Sequence, residues 1–509
     1  MPVLTVPVAG QYGVILDQQA QELPVNAWSR AINMRFKDGS AERIQGESQI
    51  YATASVIPYY IDDYQAGTAR YFVHAGIASV FVDDGTTRTT ITPASAFTGA
   101  IDDRWTGGTL GGVLVMNNNK EAPVFWGGTG LLAPLTGWPA STTAAFVRPW
   151  KNILVAGDIT EAGTRYPSMI RTSSLAAPGT IPTSWDYTDP TKSSLRQDLA
   201  EESSQLIDCL PWADANFIYK ERAAYAMRIG GPLGYTFTRL PGDGGMLARG
   251  CVAAVPAGHV VLTAGDVVIH AGQGQQSVID ARNRRTMFNT MDATNYKRSF
   301  VVSNPGRNEV WVCIPVAGDS FPTIAYVWNY KDDTWTTREL LNVTYGAVGQ
   351  ISAAAVNSWT STSGMWDDST DAWNTSAYPP TAARLLTTST DSTIRLIDKT
   401  GTFNGVAYTS ILERKGLPVG DQSRVKTITA IEPRFDAASG TQVKIEIGSS
   451  MEAEKSPVYS APVTYTVGSS YRAFSFATGR FPAVRFTSLD NQPWKLKSYD
   501  IHYTEGGLW

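Results

Sequence analysis

Four histidines, His74, His259, His270 and His502, serve all 509 residues. No two stand at the HxxxH or HExxH spacing that aims paired imidazoles at one zinc ion. His259 and His270 fall where opposite strands of one hairpin would carry them. A serine hydrolase needs a strained G-x-S-x-G elbow, and the chain has none. Carboxylates occur as the adjacent pairs Asp102-Asp103, Glu201-Glu202, Asp332-Asp333 and Asp367-Asp368. Neighbours in one turn point apart into water, whereas glycoside hydrolysis needs two carboxyls converging from different elements. Gly272-Gln273-Gly274 lies between strands with no helix or P-loop lysine after it, so it reads as a turn and not a phosphate cradle. Cys209, Cys251 and Cys313 are odd in number, far apart and set among apolar residues, as in Trp311-Val312-Cys313-Ile314. They read as buried free thiols. The expectation is a protein that is not an enzyme, with no cofactor and no metal.

Charge points the same way. Lys and Arg total 42 against 46 Asp and Glu, a net −4, which is no footprint for tight nucleic-acid binding. The densest basic group, Arg282, Arg284, Arg285, Lys297 and Arg298, reads as a solvated hairpin or a salt-bridge patch. No apolar run approaches the roughly 18 residues that span a bilayer. MPVLTVPVAGQYG lacks the basic start and apolar core of a signal peptide, so synthesis in a cytoplasm is expected. Asn342-Val343-Thr344 and Asn374-Thr375-Ser376 are then chance matches to glycosylation acceptors.

The elements that must position these residues are strands. Gly 45, Pro 28 and 11% aromatic residues suit half-buried strands punctuated by turns. From about residue 56 hairpins follow one another. Asn308 to Leu340 is the clearest unit: Glu309 to Ile314, Ile324 to Tyr330 and Trp335 to Leu340 make three strands, and a short edge strand would complete four. That is the density of a propeller blade. The expected fold is mostly β: a β-propeller-like domain of six or seven blades over 56–405 and a C-terminal antiparallel β-sandwich over 406–509. Stacked sandwiches are the alternative. Residues 1–55 are expected as a docking segment with a first hairpin. Ser358 to Pro380 is a Trp-rich insertion whose Trp359, Trp366 and Trp373 are spaced by seven. Gly364 and the Ser/Thr density disfavour a helix there. The insertion reads as an exposed loop or hairpin that packs on a neighbouring copy or on its own rim.

Glu22 to Gly46 carries the sharpest pattern. Pro24, Trp28 and Ser29 precede a strand that alternates Ile32, Met34 and Phe36 with Asn33, Arg35 and Lys37; Asp38-Gly39 turns it, and Ala41 to Ile44 returns. This module resembles the opening of short-tailed bacteriophage tail proteins, the nozzle or tail-tube components below the portal and its adaptor. Arg165 to Ser173 with Trp185-Asp186, Phe217 to Tyr225, and Val327 to Tyr330 with Thr334-Trp335 are similar to the same family, so the resemblance spans most of 15–340. It implies a propeller protomer of a homo-hexameric tail nozzle around the DNA ejection channel, a structural part of the virion. Partners so implied are head-to-tail adaptor proteins, tail fibres or spikes, and genomic DNA in transient, non-specific contact. Trp28, Trp359, Trp366 and Trp373 are the candidate interface residues. Two other readings stay open: a glycan-binding receptor protein of the tail, and a propeller glycosidase with a central carboxylate.

Overall fold

The computed structural model describes residues 2–508 apart from 68, 232–233, 243, 272–273, 352–382 and 454. Seven four-stranded antiparallel sheets follow one another, built around 60–90, 106–134, 142–198, 206–239, 252–277, 300–339 and 343–397. The first strands of successive sheets pack against one another except between the fourth and fifth, which share one apolar cluster, and Val343–Gly349 of the seventh returns to Tyr60–Ala66 of the first. The ring is therefore a seven-bladed β-propeller, which leaves only short blade edges exposed. In blade six the strand that completes the expected three is the innermost, Phe300–Asn304, and Trp328 stacks on its cross-strand partner Trp335.

Blade seven borrows a strand. Among the described residues its own stretch supplies three, and the fourth is Glu47–Gln49, which precedes blade one and pairs antiparallel with Ile394–Ile397. The ring is thus closed by non-covalent pairing between residues almost 350 positions apart.

Ahead of that clasp, the chain builds half of a second body. Val3–Val6, Met34–Lys37 and Ser40–Arg43 join Trp494–Leu508, Arg424–Ala437 and Ala473–Gly479 in one sheet. Arg30–Ile32, Ile411–Arg414, Phe481–Ser488 and Gln442–Ser450 lie in the facing sheet. Between them sits a core that includes Trp28, Phe36, Leu412, Ile431, Ile445, Phe486 and Tyr499. The sandwich is real, but it is not made by 406–509 alone, and residues 1–55 are not a separate docking piece. The N-terminal strands are only three or four residues long. Alternation over so short a run does not name a partner hundreds of residues away.

Asn33 is the pivot of this arrangement. It adopts φ 56° between a strand of one sheet and a strand of the other, a left-handed conformation that asparagine tolerates better than most residues. Its buried amide donates to Glu339 Oε2 (2.7 Å) and to the Thr409 carbonyl (2.9 Å), and its Oδ1 accepts from the Glu339 N–H. Five residues on, Asp38 and Gly39, both at positive φ, make the two-residue hairpin turn that the sequence predicts.

Propeller and sandwich are joined twice. Arg30–Ile32 pairs in parallel with the outer strand of blade six (Ile32 opposite Thr337), so one ten-stranded sheet runs from the blade into the sandwich. Beside it lies a buried charge network. Arg35 Nε donates to Glu309, and its Nη2 to Asp398 Oδ2 at 2.8 Å. Arg307 and Arg338 approach Asp398 at 3.4 and 3.7 Å. Arg338 also faces Glu47 at 3.7 Å, and Arg395 binds Glu47 at 2.8 Å. Burial alone would raise the Asp398 carboxyl, but the guanidiniums of Arg35, Arg338 and Arg307 outweigh it and hold it below the usual carboxylate range. Asp398→Asn leaves three guanidiniums without their shared anion, and breaking a buried pair costs about 3–5 kcal/mol. An unfolding free energy in urea lowered by that amount is expected; a change below about 1 kcal/mol would remove the network from the account of the joint.

Candidate functional site

Propellers gather the first strand of every blade round one axis, so a side chain there meets groups from several blades. Arg104, just ahead of blade two, donates from Nη1 to the carbonyls of Arg249 (2.9 Å), Lys297 (3.1 Å) and Ser299 (2.8 Å), which precede blades five and six. Arg249 Nη1 donates back to the Arg104 carbonyl at 3.2 Å. These blades are not neighbours in the ring, so the bonds cross its interior. The Arg104 guanidinium also lies 5.2 Å from the centre of the Tyr345 ring of blade seven. Tyr345 in turn stacks on Tyr60 of blade one at 5.7 Å and tilts against Phe300 of blade six at 5.4 Å. Gly250, at φ 78°, has no Cβ because one there would stand 3.1 Å from the Tyr345 ring.

Two carboxylates complete the axial group and are held very differently. Asp208 of blade four is fully buried and grips Arg148 of blade three with both oxygens, at 2.9 and 2.7 Å, while the Cys209 N–H donates to Oδ1. Arg148 Nη1 reaches on to the Gly107 carbonyl of blade two. Asp62 of blade one has only the Tyr60 hydroxyl (3.0 Å) and the Asp63 N–H as donors. Its carboxyl keeps some contact with water, yet protein surrounds it on most sides. Burial first, and then the negative charge of Asp63, push it up to about 6. Asp62 can therefore take up or release a proton near neutral pH. Asp208, with both oxygens committed to one guanidinium, is poorly placed to act as a second acid or nucleophile.

The residues singled out in the sequence are dispersed. Trp28 is 1% exposed, its indole N–H donating to the Ala9 carbonyl and its ring packed on Phe486 and Tyr499. It is a core residue of the sandwich, which corrects the expectation of an interface anchor: an indole so placed has no free face. Trp359, Trp366 and Trp373 lie outside the described residues, as do Asp367-Asp368, Asn374 and the first two residues of Gly272-Gln273-Gly274. Among the basic residues Arg282 pairs with Asp333, Arg284 with Asp280 and Arg298 with Asp102, and the Arg285 side chain donates to the Asp17 carbonyl. The three cysteines are buried and free, their thiols pushed up by burial. His74 stands 3.0 Å from Asp83, and His502 stands 3.6 Å from Glu432. His259 and His270 face each other across one hairpin, as the spacing suggested. No group of three His, Cys, Asp or Glu side chains suited to a metal ion occurs among the described residues. No helix among them is long and apolar enough to cross a membrane.

Sequence reasoning missed the axial group. Asp62, beside Asp63 in Tyr60-Ile61-Asp62-Asp63, gave no signal, but Arg148 and Asp208 are single charges in apolar surroundings, as in Phe146-Val147-Arg148 and Ile207-Asp208-Cys209. Such residues seldom stand in a strand interior without a partner.

No family model and no curated protein matches the chain. Among solved structures it is similar to BBS1N in complex with ARL6DN, at 11% identity over 70% of this chain and 96% of that one, with a TM-score of 0.37. The N-terminal domain of Nup159 aligns at 10% identity, 70% and 94% coverage and TM-score 0.36. Apo AztD from Citrobacter koseri aligns at 9%, 55% and 71%, and 0.30. Likenesses this distant carry no argument, and the propeller rests on the sheet order and ring closure described above.

Two opposite pH responses follow. Asp62 has a raised folded-state pKa, so its contribution is fully present below the unfolded value near 4 and is lost as pH rises through 6. Asp62→Asn should therefore stabilise the protein by about 1–2 kcal/mol at pH 8, allowing for residual water, and not at pH 4. Equal effects on the melting temperature at the two pH values would sink this. His259 and His270 behave in reverse. Burial pushes both down to about 4, so below pH 6.5 the unfolded chain binds more protons and stability falls until about pH 4. The loss is up to about 3 kcal/mol for each, and the His259→Gln/His270→Gln variant should show a flatter melting profile between those values.

Proposed function

We propose that this chain is a structural subunit of the tail nozzle of a short-tailed bacteriophage, six copies forming a ring around the DNA ejection channel below the portal and its adaptor. The observation that carries the reading is the weld between propeller and sandwich. One continuous ten-stranded sheet and a buried charge network join them, as suits a part that must hold its shape under load. Arg30–Ile32 and Arg35 of the weld belong to the stretch Glu22 to Gly46 that resembles phage tail proteins.

Two further features support it. Arg104 and Arg249 cross the propeller axis, so a conduit for DNA belongs between copies and not through one propeller. Three of the five basic residues that might have held phosphate, Arg282, Arg284 and Arg298, are paired within the chain, and net −4 suits passage better than capture. A cyclic ring joins two different patches head to tail on each copy. Adaptor proteins above and fibres or spikes at the side complete the proposed surroundings.

Native mass spectrometry with negative-stain electron microscopy tests the proposal. A six-fold ring with a central opening, formed alone or on addition of an adaptor, is the expected result. A monomer or trimer that joins no ring and binds bacterial surface glycan would overturn it in favour of a receptor protein.

A further inference from the structure

The outward edges of the sheets are managed with care, with one exception. The outer strands of blades one to five and of blade seven are Arg88–Thr90, Ala133–Pro134, Arg196–Asp198, Tyr235–Arg239, Gln275–Ser277 and Glu47–Gln49, each five residues or fewer. Most carry a charge or a proline, and short, charged or proline-bearing edges resist pairing with other chains. In the sandwich Val3–Val6 lies between Pro2 and Pro7, and the far edge of the facing sheet is split into Val458–Tyr459 and Val463–Thr466. The strand Ala473–Gly479 breaks the pattern. It is seven residues long, has neither charge nor proline, and among the described residues pairs only with Arg424–Ala437. Phe474 and Phe476, two apart on its outer face, are 67% and 69% exposed, and Tyr471 just ahead of it is 71% exposed.

We propose that this edge receives an extended, uncharged polypeptide strand of a partner protein, which adds to the sheet beside Ala473–Gly479. A row of unpaired backbone groups is met by another backbone, and alternate apolar side chains of the incoming strand cover the two phenylalanines. Charge defines the partner. Of the nearest ionic side chains, Arg472 is paired with Glu432 at 2.8 Å and Arg434 with Asp500 at 2.5 Å, while Arg480, just past the strand, donates to the Gln422 carbonyl at 3.2 Å, so the edge offers little to an ionic ligand.

Area separates a strand from a whole globular partner. The three aromatic rings expose roughly 400 Å², about half of the ~800 Å² per side that a stable interface between folded proteins buries. A second copy resting on this patch alone falls short, whereas an added strand draws its affinity from backbone hydrogen bonds. The receiving edge is preformed: Ser475 Oγ is fixed from beneath by Ser460 Oγ at 2.6 Å. Alongside lies a groove of about 490 Å³ whose lining includes Met451, Val458, Tyr459 and Phe476 together with the mutually paired Glu452 and Lys455, ready for a side chain of the incoming strand.

The inference does not rest on the nozzle, and its test reads the edge directly in the full chain. A synthetic heptapeptide alternating threonine and valine is added at about 1 mM, with the same peptide carrying proline at every second position as control. The alternating peptide should bind and slow hydrogen exchange of the 473–477 amides, and the control should do neither. Phe474→Lys/Phe476→Lys should weaken binding about tenfold or more, with Phe476→Ser as a milder variant; both side chains point to solvent, so the fold should persist. No binding, equal binding of the control, or binding indifferent to both variants overturns the proposal. So does a concentration-dependent doubling of mass, or retention on immobilised polysaccharide, that the lysine variant abolishes. The first assigns the edge to a second copy and the second to sugar. Ring formation is scored separately, so either idea can fail without the other.

Discussion

Burying a guanidinium is tolerable only where carboxylates meet it, and the joint of this protein is organised by that requirement. Asp398 stands within reach of Arg35, Arg307 and Arg338, which belong to the sandwich hairpin, the inner hairpin of blade six and its outer strand. Glu47 does the same for Arg338 and Arg395, tying the strand that closes the ring to blades six and seven. An ionic cluster of this kind adds little to net stability compared with a well-packed apolar one. What it fixes is register. A one-residue slip of Glu47–Gln49 would carry Glu47 away from both arginines and leave their charges bare in the interior.

The axis of the propeller shows the same economy on a smaller scale. Seven inner strands bring polar groups into one place, and most are consumed by one another: Asp208 by Arg148, Arg104 and Arg249 by backbone carbonyls. Asp62 is the member least provided for. Its environment, more than its identity, sets its proton affinity, which is why an ordinary-looking aspartate in a strand is pushed well above the usual carboxylate range. Asp398 experiences a comparable loss of water, and the arginines around it drive the shift in the opposite direction.

Much of the fold was legible in the sequence because it is local. Hairpins with turns such as Asp38-Gly39 declare themselves within ten residues, and the Trp328/Trp335 pairing follows from strand alternation around one turn. The alternating C-terminal strands from Arg424 onward are legible for the same reason. What stayed hidden is non-local. Nothing near Glu47 says that it completes a blade ending at residue 397, and nothing near Arg30 says that it bridges two bodies. Trp28 was misread for a related cause: an aromatic beside polar residues looks exposed until the strands that cover it, more than 450 residues later, are in place. The axial site was hidden because its members lie one to a blade, and only ring closure gathers them.

That long-range pairing has a consequence in time. Val3–Val6 waits for Tyr499 to His502 to exist before it has a neighbour, and Glu47–Gln49 waits for Ile394–Ile397. At synthesis rates of about 5–20 residues per second, the opening strands spend on the order of half a minute or more outside the ribosome as orphans. Loop closure over such distances also slows folding itself. The chain must therefore carry its first fifty residues, with Trp28 and Phe36 uncovered, through the whole of its own manufacture. Whatever shelters them in that interval, a chaperone or the half-built blades, is as much a requirement of this architecture as the bonds that finally replace it.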